Sequence, residues 1–203
     1  RYRTDAPIAG AQREAAAVAA AHSVLVGLYP AQASNLNTLR DNALAALSVD
    51  GRALGEAVGV NIGQKVLVGR AADGSTAVST YQPQNPAVPG SWRPTPPANA
   101  NPLLPQWGGV QPFALNTPAQ FRPPAPPALD SPEYTAAYNQ VKTIGAAPGS
   151  TRTAEQTDIA RAWAFGGGTV TPPGSWNQIA ASSLPGSMSL VDRARAYAML
   201  NVA

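Results

Sequence analysis

Apolar residues recur at intervals of three and four positions, the spacing of a helix, through the first third of the chain. Three alanine-rich segments follow one another there, and the breaks between them fall at proline and glycine. The first spans about residues 12–29, the second begins at Pro30 and ends at Asp50-Gly51, and the third spans about residues 52–72. Because alanine has the highest helix propensity, these segments predict three helices.

Three glycines lie on one face of the third predicted helix, at four-residue intervals: Gly55, Gly59 and Gly63. Each costs up to about 1 kcal/mol relative to alanine in a helix interior, so their register predicts a close crossing with another helix. The same spacing occurs in membrane dimers, but the polar neighbours Glu56 and Asn61 argue against lipid. We therefore expect close packing inside a soluble bundle.

The pattern changes between Gly74 and Leu129, where there is no Asp or Glu and most of the chain's 21 prolines lie in or beside the segment. So much proline excludes regular helix. A disordered linker is one interpretation, but such linkers rarely carry so many large apolar groups. We favour an ordered irregular arm that wraps the helices and supplies aromatic bulk. Its proline-rich pieces, 94–97 and 122–127, are alternatively polyproline-II ligands of a signalling module.

Helix-start signals return after this arm. Ser131-Pro132-Glu133 places an N-cap, a first-turn proline and an acid in order, and Thr153 to Gln156 forms a capping-box pattern. Pro172-Pro173 precedes a further short helix, and Ser187 or Ser189 caps the last one. The predicted fold class is all-α: a helical bundle with a long ordered proline-rich irregular arm.

The predicted organisation is a single structural domain in three parts: N-terminal helices at 1–73, the proline-rich aromatic arm at 74–130, and C-terminal helices at 131–203. The chain starts at Arg1 without Met and finishes at Ala203 without a helix-stop signal. Both ends are therefore interpreted as cut or processed, and the domain is expected to be incomplete.

Composition narrows the possible partners. The 40 alanines leave few large aliphatic residues for a core, and the net charge of +3 comes from arginines spread along the chain rather than clustered. The spread of arginines predicts no nucleic-acid surface. The longest charge-free run, 15–39, has an apolar part of about 15 residues, short of the roughly 20 that span a bilayer. We expect no membrane span.

The sequence offers little catalytic chemistry. It contains no cysteine and a single histidine, His22, which excludes metal sites with two histidines or with thiolates. His22 lies among apolar neighbours, so a packed imidazole bonded to another segment is preferred over a ligand or acid-base role. No nucleophile elbow or phosphate loop is found. We predict no catalytic, cofactor-binding or metal-binding residue in this chain.

Six short motifs, taken in order, resemble bacterial vanadium-dependent haloperoxidases of the phosphatidic acid phosphatase type 2 superfamily. The similarity extends from about Ala15 to the end of the chain. The motifs are Trp-Arg-Pro-Thr-Pro-Pro at 92–97, Leu-Pro-Gln-Trp-Gly at 104–108, Pro-Phe-Ala-Leu at 112–115, Phe-Arg-Pro-Pro at 121–124, Thr-Arg-Thr-Ala-Glu-Gln at 151–156 and Pro-Pro-Gly-Ser-Trp-Asn at 172–177.

This resemblance implies an all-helical bundle protein, often secreted or periplasmic, whose relatives bind vanadate and oxidise halide with peroxide, or bind phosphate and hydrolyse monoesters. The family's oxyanion site uses Lys followed by Arg-Pro, then Pro-Ser-Gly-His, then Ser-Arg with a downstream His. None of these motifs occurs here: Lys65 and Lys142 lack the Arg-Pro, and His22 is the only histidine. No catalytic residue is carried over.

Two functions are expected on this basis. In the first, the chain is the N-terminal helical portion of such a protein, inactive alone, and it packs against a missing C-terminal half that holds vanadate or substrate phosphate. In the second, it is a non-catalytic helical scaffold or interaction module that self-associates or assembles with other chains. If the partner half is missing, we expect exposed apolar surface, and with it a homo-oligomer or co-purification with another chain.

Overall fold

The computed structural model describes residues 8–79, 81 and 88–202. Within these ranges the chain forms seven α-helices and no β-strand, which confirms the all-α class. The α-helices are α1 (Arg13–Leu28), α2 (Ala33–Ala45), α3 (Arg52–Arg70), α4 (Pro132–Gly145), α5 (Ala154–Ala162), α6 (Thr171–Ser183) and α7 (Leu190–Val202). Two short 3-10 helices lie at Pro30–Gln32 and Pro105–Gly109.

The described residues fall into two compact units. The first contains those within Arg1–Thr76, Gln111–Ala114 and Trp176–Ala203, and the second those within Ala77–Val110 and Leu115–Ser175. The first unit therefore holds α1, α2, α3 and α7, and the second holds α4, α5 and the 3-10 helix Pro105–Gly109.

The crossing of α1 and α3 is the main packing contact of the first unit. Its centre is built from small residues: Ala15 and Ala19 on α1 are buried, and Gly55, Gly59 and Gly63 of α3 are buried opposite them. A methyl group on Gly59 would collide with the carbonyl oxygen of Ala16 and lie 2.8 Å from the Ala19 Cβ. The close crossing predicted from the glycine register is thus confirmed.

Helix starts follow the predicted capping signals. The Ser131 hydroxyl accepts a hydrogen bond from the Tyr134 N–H at 3.1 Å, and Pro132 occupies the first turn of α4. At α5 the Thr153 hydroxyl accepts from the Gln156 N–H (3.1 Å) while the Gln156 side chain accepts from the Thr153 N–H (3.0 Å). This reciprocal pair is the predicted capping box.

At the last helix the structure selects one of the two predicted caps. The Ser189 hydroxyl accepts from the Asp192 N–H at 3.1 Å and donates to the Asp192 carboxylate at 2.7 Å. Since α7 begins at Leu190, Ser189 is its N-cap.

Several helix boundaries differ from the sequence prediction. Helix α2 begins at Ala33 rather than at Pro30, because residues 30–32 form a 3-10 helix. Helix α2 ends at Ala45, before the predicted Asp50-Gly51 stop, and the Arg52 guanidinium caps it by donating to the Leu44 carbonyl at 3.1 Å. Helix α6 begins at Thr171, so Pro172 and Pro173 lie within its first turn rather than before it. Proline is tolerated there because the first backbone N–H groups of a helix have no intrahelical acceptor.

No α-helix occurs among the described residues between the end of α3 and the start of α4, as the proline content predicts. Several aromatic side chains of this segment remain open to solvent: Trp107 is 57% exposed and Phe121 is 76% exposed. Phe113 instead belongs to the first unit, where the Arg70 guanidinium lies 4.1 Å from its ring centroid.

Candidate functional site

His22, the only histidine, connects two helices. Its ring lies half-buried on α1, and its Nε2 atom is 2.7 Å from the Asn37 side-chain oxygen on α2. This is the expected bond to another segment of the chain. One ring nitrogen is thereby engaged in holding α2 against α1.

Several arginines bond to groups that stabilise the fold. Arg152 donates to the carbonyl oxygens of Ile144 and Ala146 at the end of α4 (2.7 and 3.1 Å) and to the Thr157 hydroxyl. It thus caps α4 and connects it to the start of α5. Arg40 pairs with Asp41 at 2.7 Å. These guanidinium groups already have acceptors within the chain, so they are not arranged to receive an oxyanion.

A compact polar cluster anchors the irregular segment to the end of α3. Arg70 and Asp73 form a salt bridge of 2.6 Å, with 14% and 9% of their side chains exposed. The Asp73 carbonyl accepts from the Gln111 N–H at 2.8 Å, and Phe113 lies beneath the Arg70 guanidinium. The cluster therefore holds residues 111–114 of the first unit against the end of α3.

The cluster also lowers the pKa of Asp73. The main causes are hydrogen bonds to its carboxylate from the Ser75 side chain and the Ser75 N–H (2.8 Å for the latter), and Arg70 adds an attractive charge. Only part of this arrangement has a sequence signal, namely the Asp73-Gly74 turn. The contact with Phe113 spans more than forty positions and has no local signal.

The acidic and histidine side chains of the described residues do not gather into a metal-binding group. Across those residues, no group of three or more His, Cys, Asp or Glu side chains is placed to hold a metal ion. Likewise, none of the described helices has the length and apolar character required to cross a membrane.

The most prominent surface features are apolar side chains that are more than half exposed. On α4, Tyr138 is 57% and Val141 70% exposed. On α5, Ile159 is 52% exposed, and Trp163, the C-cap residue of α5, is 56% exposed with its ring edge to face against Phe165. Each pair is spaced by three or four residues and so lies on one side of its helix. We call these two surfaces the open faces of α4 and α5.

Helices of the first unit show the same property. Large apolar side chains on α1, α2, α3 and α7 are more than half exposed, namely Leu28, Leu39, Val68 and Met199. Among the described residues no large side chain is fully buried, and the core contains Ala15, Ala19 and Leu44. The apolar periodicity that predicted the helices is therefore present, but much of the apolar surface faces solvent.

The open faces have an energetic consequence. Helix α5 has 9 residues, and isolated helices shorter than about 12–15 residues are marginal in water. Neither α4 nor α5 packs extensively against another described helix. Burying a large aliphatic or aromatic side chain contributes roughly 1.5–3 kcal/mol, so covering these faces would stabilise the fold considerably. They are the best candidate for a binding surface.

Comparison of the chain with known protein families, with curated proteins and with solved structures finds no match.

Proposed function

We propose that this chain is the helical scaffold of a vanadium-dependent haloperoxidase-like protein, or of a related acid phosphatase, and lacks the oxyanion site itself. The open faces of α4 and α5 carry the proposal, because large apolar side chains exposed side by side on a helix are typical of an interaction site. In the proposed protein, a second helical portion covers these faces. That portion holds the vanadate or the substrate phosphate.

The packing of the first unit supports this proposal. The α1–α3 crossing uses alanine and glycine, so it brings the backbones close while burying little large apolar surface. A fold whose described core contains no large, fully buried side chain gains little hydrophobic stabilisation from its own contacts. A second portion would supply the missing apolar contacts and complete a helical bundle, with the proline-rich segment as an ordered arm around it.

The chemistry of the chain is consistent with a scaffold role. Binding a multiply charged oxyanion requires several convergent cationic donors, and a histidine must ligate vanadate or attack phosphorus. His22 bonds to Asn37, and Arg70 and Arg152 bond to partners within the fold. The order of motifs between residues 92 and 177 supports the choice of family. A secreted or periplasmic location belongs to the same proposal.

The coding sequence provides the first test. Codons after Ala203 that encode a Lys with Arg-Pro and a Pro-Ser-Gly-His motif would support the proposal. A stop codon directly after Ala203 would contradict it for this polypeptide.

The second test measures activity. Where such codons exist, the two portions are produced together and separately, and bromide oxidation with vanadate and peroxide and phosphomonoester hydrolysis are measured. We expect one of these activities in the combined protein and neither in the 203-residue chain. A combined protein inactive in both assays, or turnover by the pure 203-residue chain, would overturn the proposal.

An interaction module is the second candidate function, and the exposed apolar side chains on helices of both units favour it as well. In this case the chain is a non-catalytic scaffold that binds itself or other chains. Assembly in a stoichiometric complex, with no peroxidase or phosphatase activity in any fraction, would favour this alternative.

A further inference from the structure

A cleft of about 510 Å³ opens on the second unit, beside the start of the 3-10 helix Pro105–Gly109. The Tyr81 and Trp92 rings stand edge to face on its wall, with centroids 6.1 Å apart and planes at 69°. Leu103 and Pro105 add apolar surface, and Thr95 and Asn101 contribute a hydroxyl and an amide. Its volume lies within the range of small-ligand and peptide sites.

The lining of the cleft determines which ligands it suits. No Asp, Glu, Lys or Arg side chain is among its lining residues, so nothing there balances a charged ligand. Aromatic rings beside proline, with a few hydrogen-bonding groups, are typical of grooves that bind polyproline-II segments. In such complexes the ligand prolines pack on the rings while ligand carbonyl oxygens accept hydrogen bonds from the groove.

The chain carries a segment with the matching properties. Residues 122–128 contain four prolines and two alanines, form no helix or turn, and are exposed throughout. Residues 123–128 carry no charge, which matches the uncharged cleft, and the one charged residue of the segment, Arg122, lies at its end. Seven residues in the polyproline-II conformation extend about 22 Å.

The segment and the cleft lie close together on the same unit. The Leu129 side chain contacts Gly90, two residues before Trp92, and a methyl group on Gly90 would lie 3.1 Å from Leu129 Cδ2. Residues 122–128 are nevertheless exposed, so they do not fill the cleft of their own chain. When donor and acceptor are adjacent, two copies related by a two-fold axis can each insert a segment into the other.

We propose that residues 122–128 of one copy bind the cleft around Tyr81 and Trp92 of a second copy, forming a reciprocal homodimer. The proposal is independent of the haloperoxidase-like assignment and of the open faces of α4 and α5. In this dimer the proline-rich segment of each copy is the ligand of the other copy.

A peptide with the sequence of residues 121–129 tests the cleft directly. It is titrated into the ¹⁵N-labelled chain while the Trp92 indole N–H signal is followed, with that signal assigned by Trp92→Phe. A control peptide carries glycine in place of the four prolines. We expect saturable binding of the first peptide, with the Trp92 signal shifting, and binding at least about tenfold weaker for the control. Equal binding of both peptides, or none, would overturn the proposal.

The dimer is tested by complementation. Leu103 is 89% exposed, so Leu103→Asp should damage the cleft without disturbing the fold, and glycine at all four segment prolines should damage the ligand. Analytical ultracentrifugation should show that each variant alone loses this dimer. A mixture of the two should form a heterodimer, since it retains one intact cleft and one intact segment. Circular dichroism confirms folding, and Leu39→Asp on α2 is the matched surface control.

Dimerisation that persists in either variant alone, or a mixture that stays monomeric, contradicts reciprocal insertion.

Discussion

Single residues at the α1–α3 crossing determine how closely the two helices approach. Gly59 faces the Ala16 carbonyl, and a backbone group cannot move aside as a flexible side chain can. Two glycines of the same helix are therefore expected to respond in opposite directions to alanine.

Gly59→Ala is predicted to lower the free energy of unfolding by about 1–2 kcal/mol, because the overpacking cost exceeds the gain in helix propensity. Gly69→Ala is the matched control. An added methyl group there meets nothing within 4 Å, so we expect unchanged or increased stability, by up to about 1 kcal/mol. Urea unfolding measures both variants. Equal effects at the two positions would contradict the close crossing.

Asp73 gives the first unit a pH-dependent contact. Since its pKa is lowered in the folded chain, this carboxylate stabilises the fold at pH values above the unfolded-state pKa of about 3.9. The contribution is lost as pH falls through the lower, folded-state pKa.

Ser75→Ala removes the hydroxyl hydrogen bond that lowers the pKa of Asp73 the most, and it should raise that pKa towards its usual range. Carbon-detected NMR titration of the carboxyl group measures this, and the distant Ser182→Ala should leave the titration unchanged.

At the scale of elements, local capping compensates for missing tertiary packing. Helix α5 is short and its apolar residue Ile159 is 52% exposed, yet its start has a complete capping box. Arg152 links that start to the end of α4. Local hydrogen bonds therefore contribute much of what holds α5 in its helical form and links it to α4.

Thr153→Ala is predicted to cost about 1 kcal/mol and to reduce the helical population of residues 154–162. Thr153→Ser keeps the accepting oxygen and should retain most of the helix. Backbone chemical shifts of α5 in the two variants provide the measurement. If both variants remain equally helical, tertiary contacts rather than the cap maintain α5.

At the scale of the whole molecule, the amount of uncovered apolar surface is the dominant property. The chain should bind apolar fluorescent dyes in its folded state, and substitutions on the open faces should change dye binding without changing stability. Val141 is well suited as a probe because it is 70% exposed on α4.

Val141→Lys is predicted to reduce dye binding while altering the free energy of unfolding by no more than about 0.5 kcal/mol. Asn139→Lys adds the same charge on the other side of the helix and should leave dye binding nearly unchanged. Dye fluorescence and urea unfolding are measured on both variants. A large loss of stability in Val141→Lys would mean that the α4 face is already packed within the chain.

The amino-acid sequence by itself determined the elements. Helix starts at Ser131, Thr153 and Ser189 depend on hydrogen bonds over three residues, and the glycine register of α3 is a repeat within one helix, so local patterns were sufficient. The end of α2 was not predicted, because the group that caps it, the Arg52 side chain, lies eight residues after the Leu44 carbonyl to which it donates.

Only the tertiary structure decided which apolar faces are covered. The spacing of apolar residues shows that Tyr138 and Val141 share a side of α4, but it does not indicate whether another helix packs there. The same limit applies to the Arg70–Phe113 contact and to the cleft between Tyr81 and Trp92, which join residues far apart in sequence. Burial depends on long-range partners, and the sequence pattern records only that a face is suited to receive one.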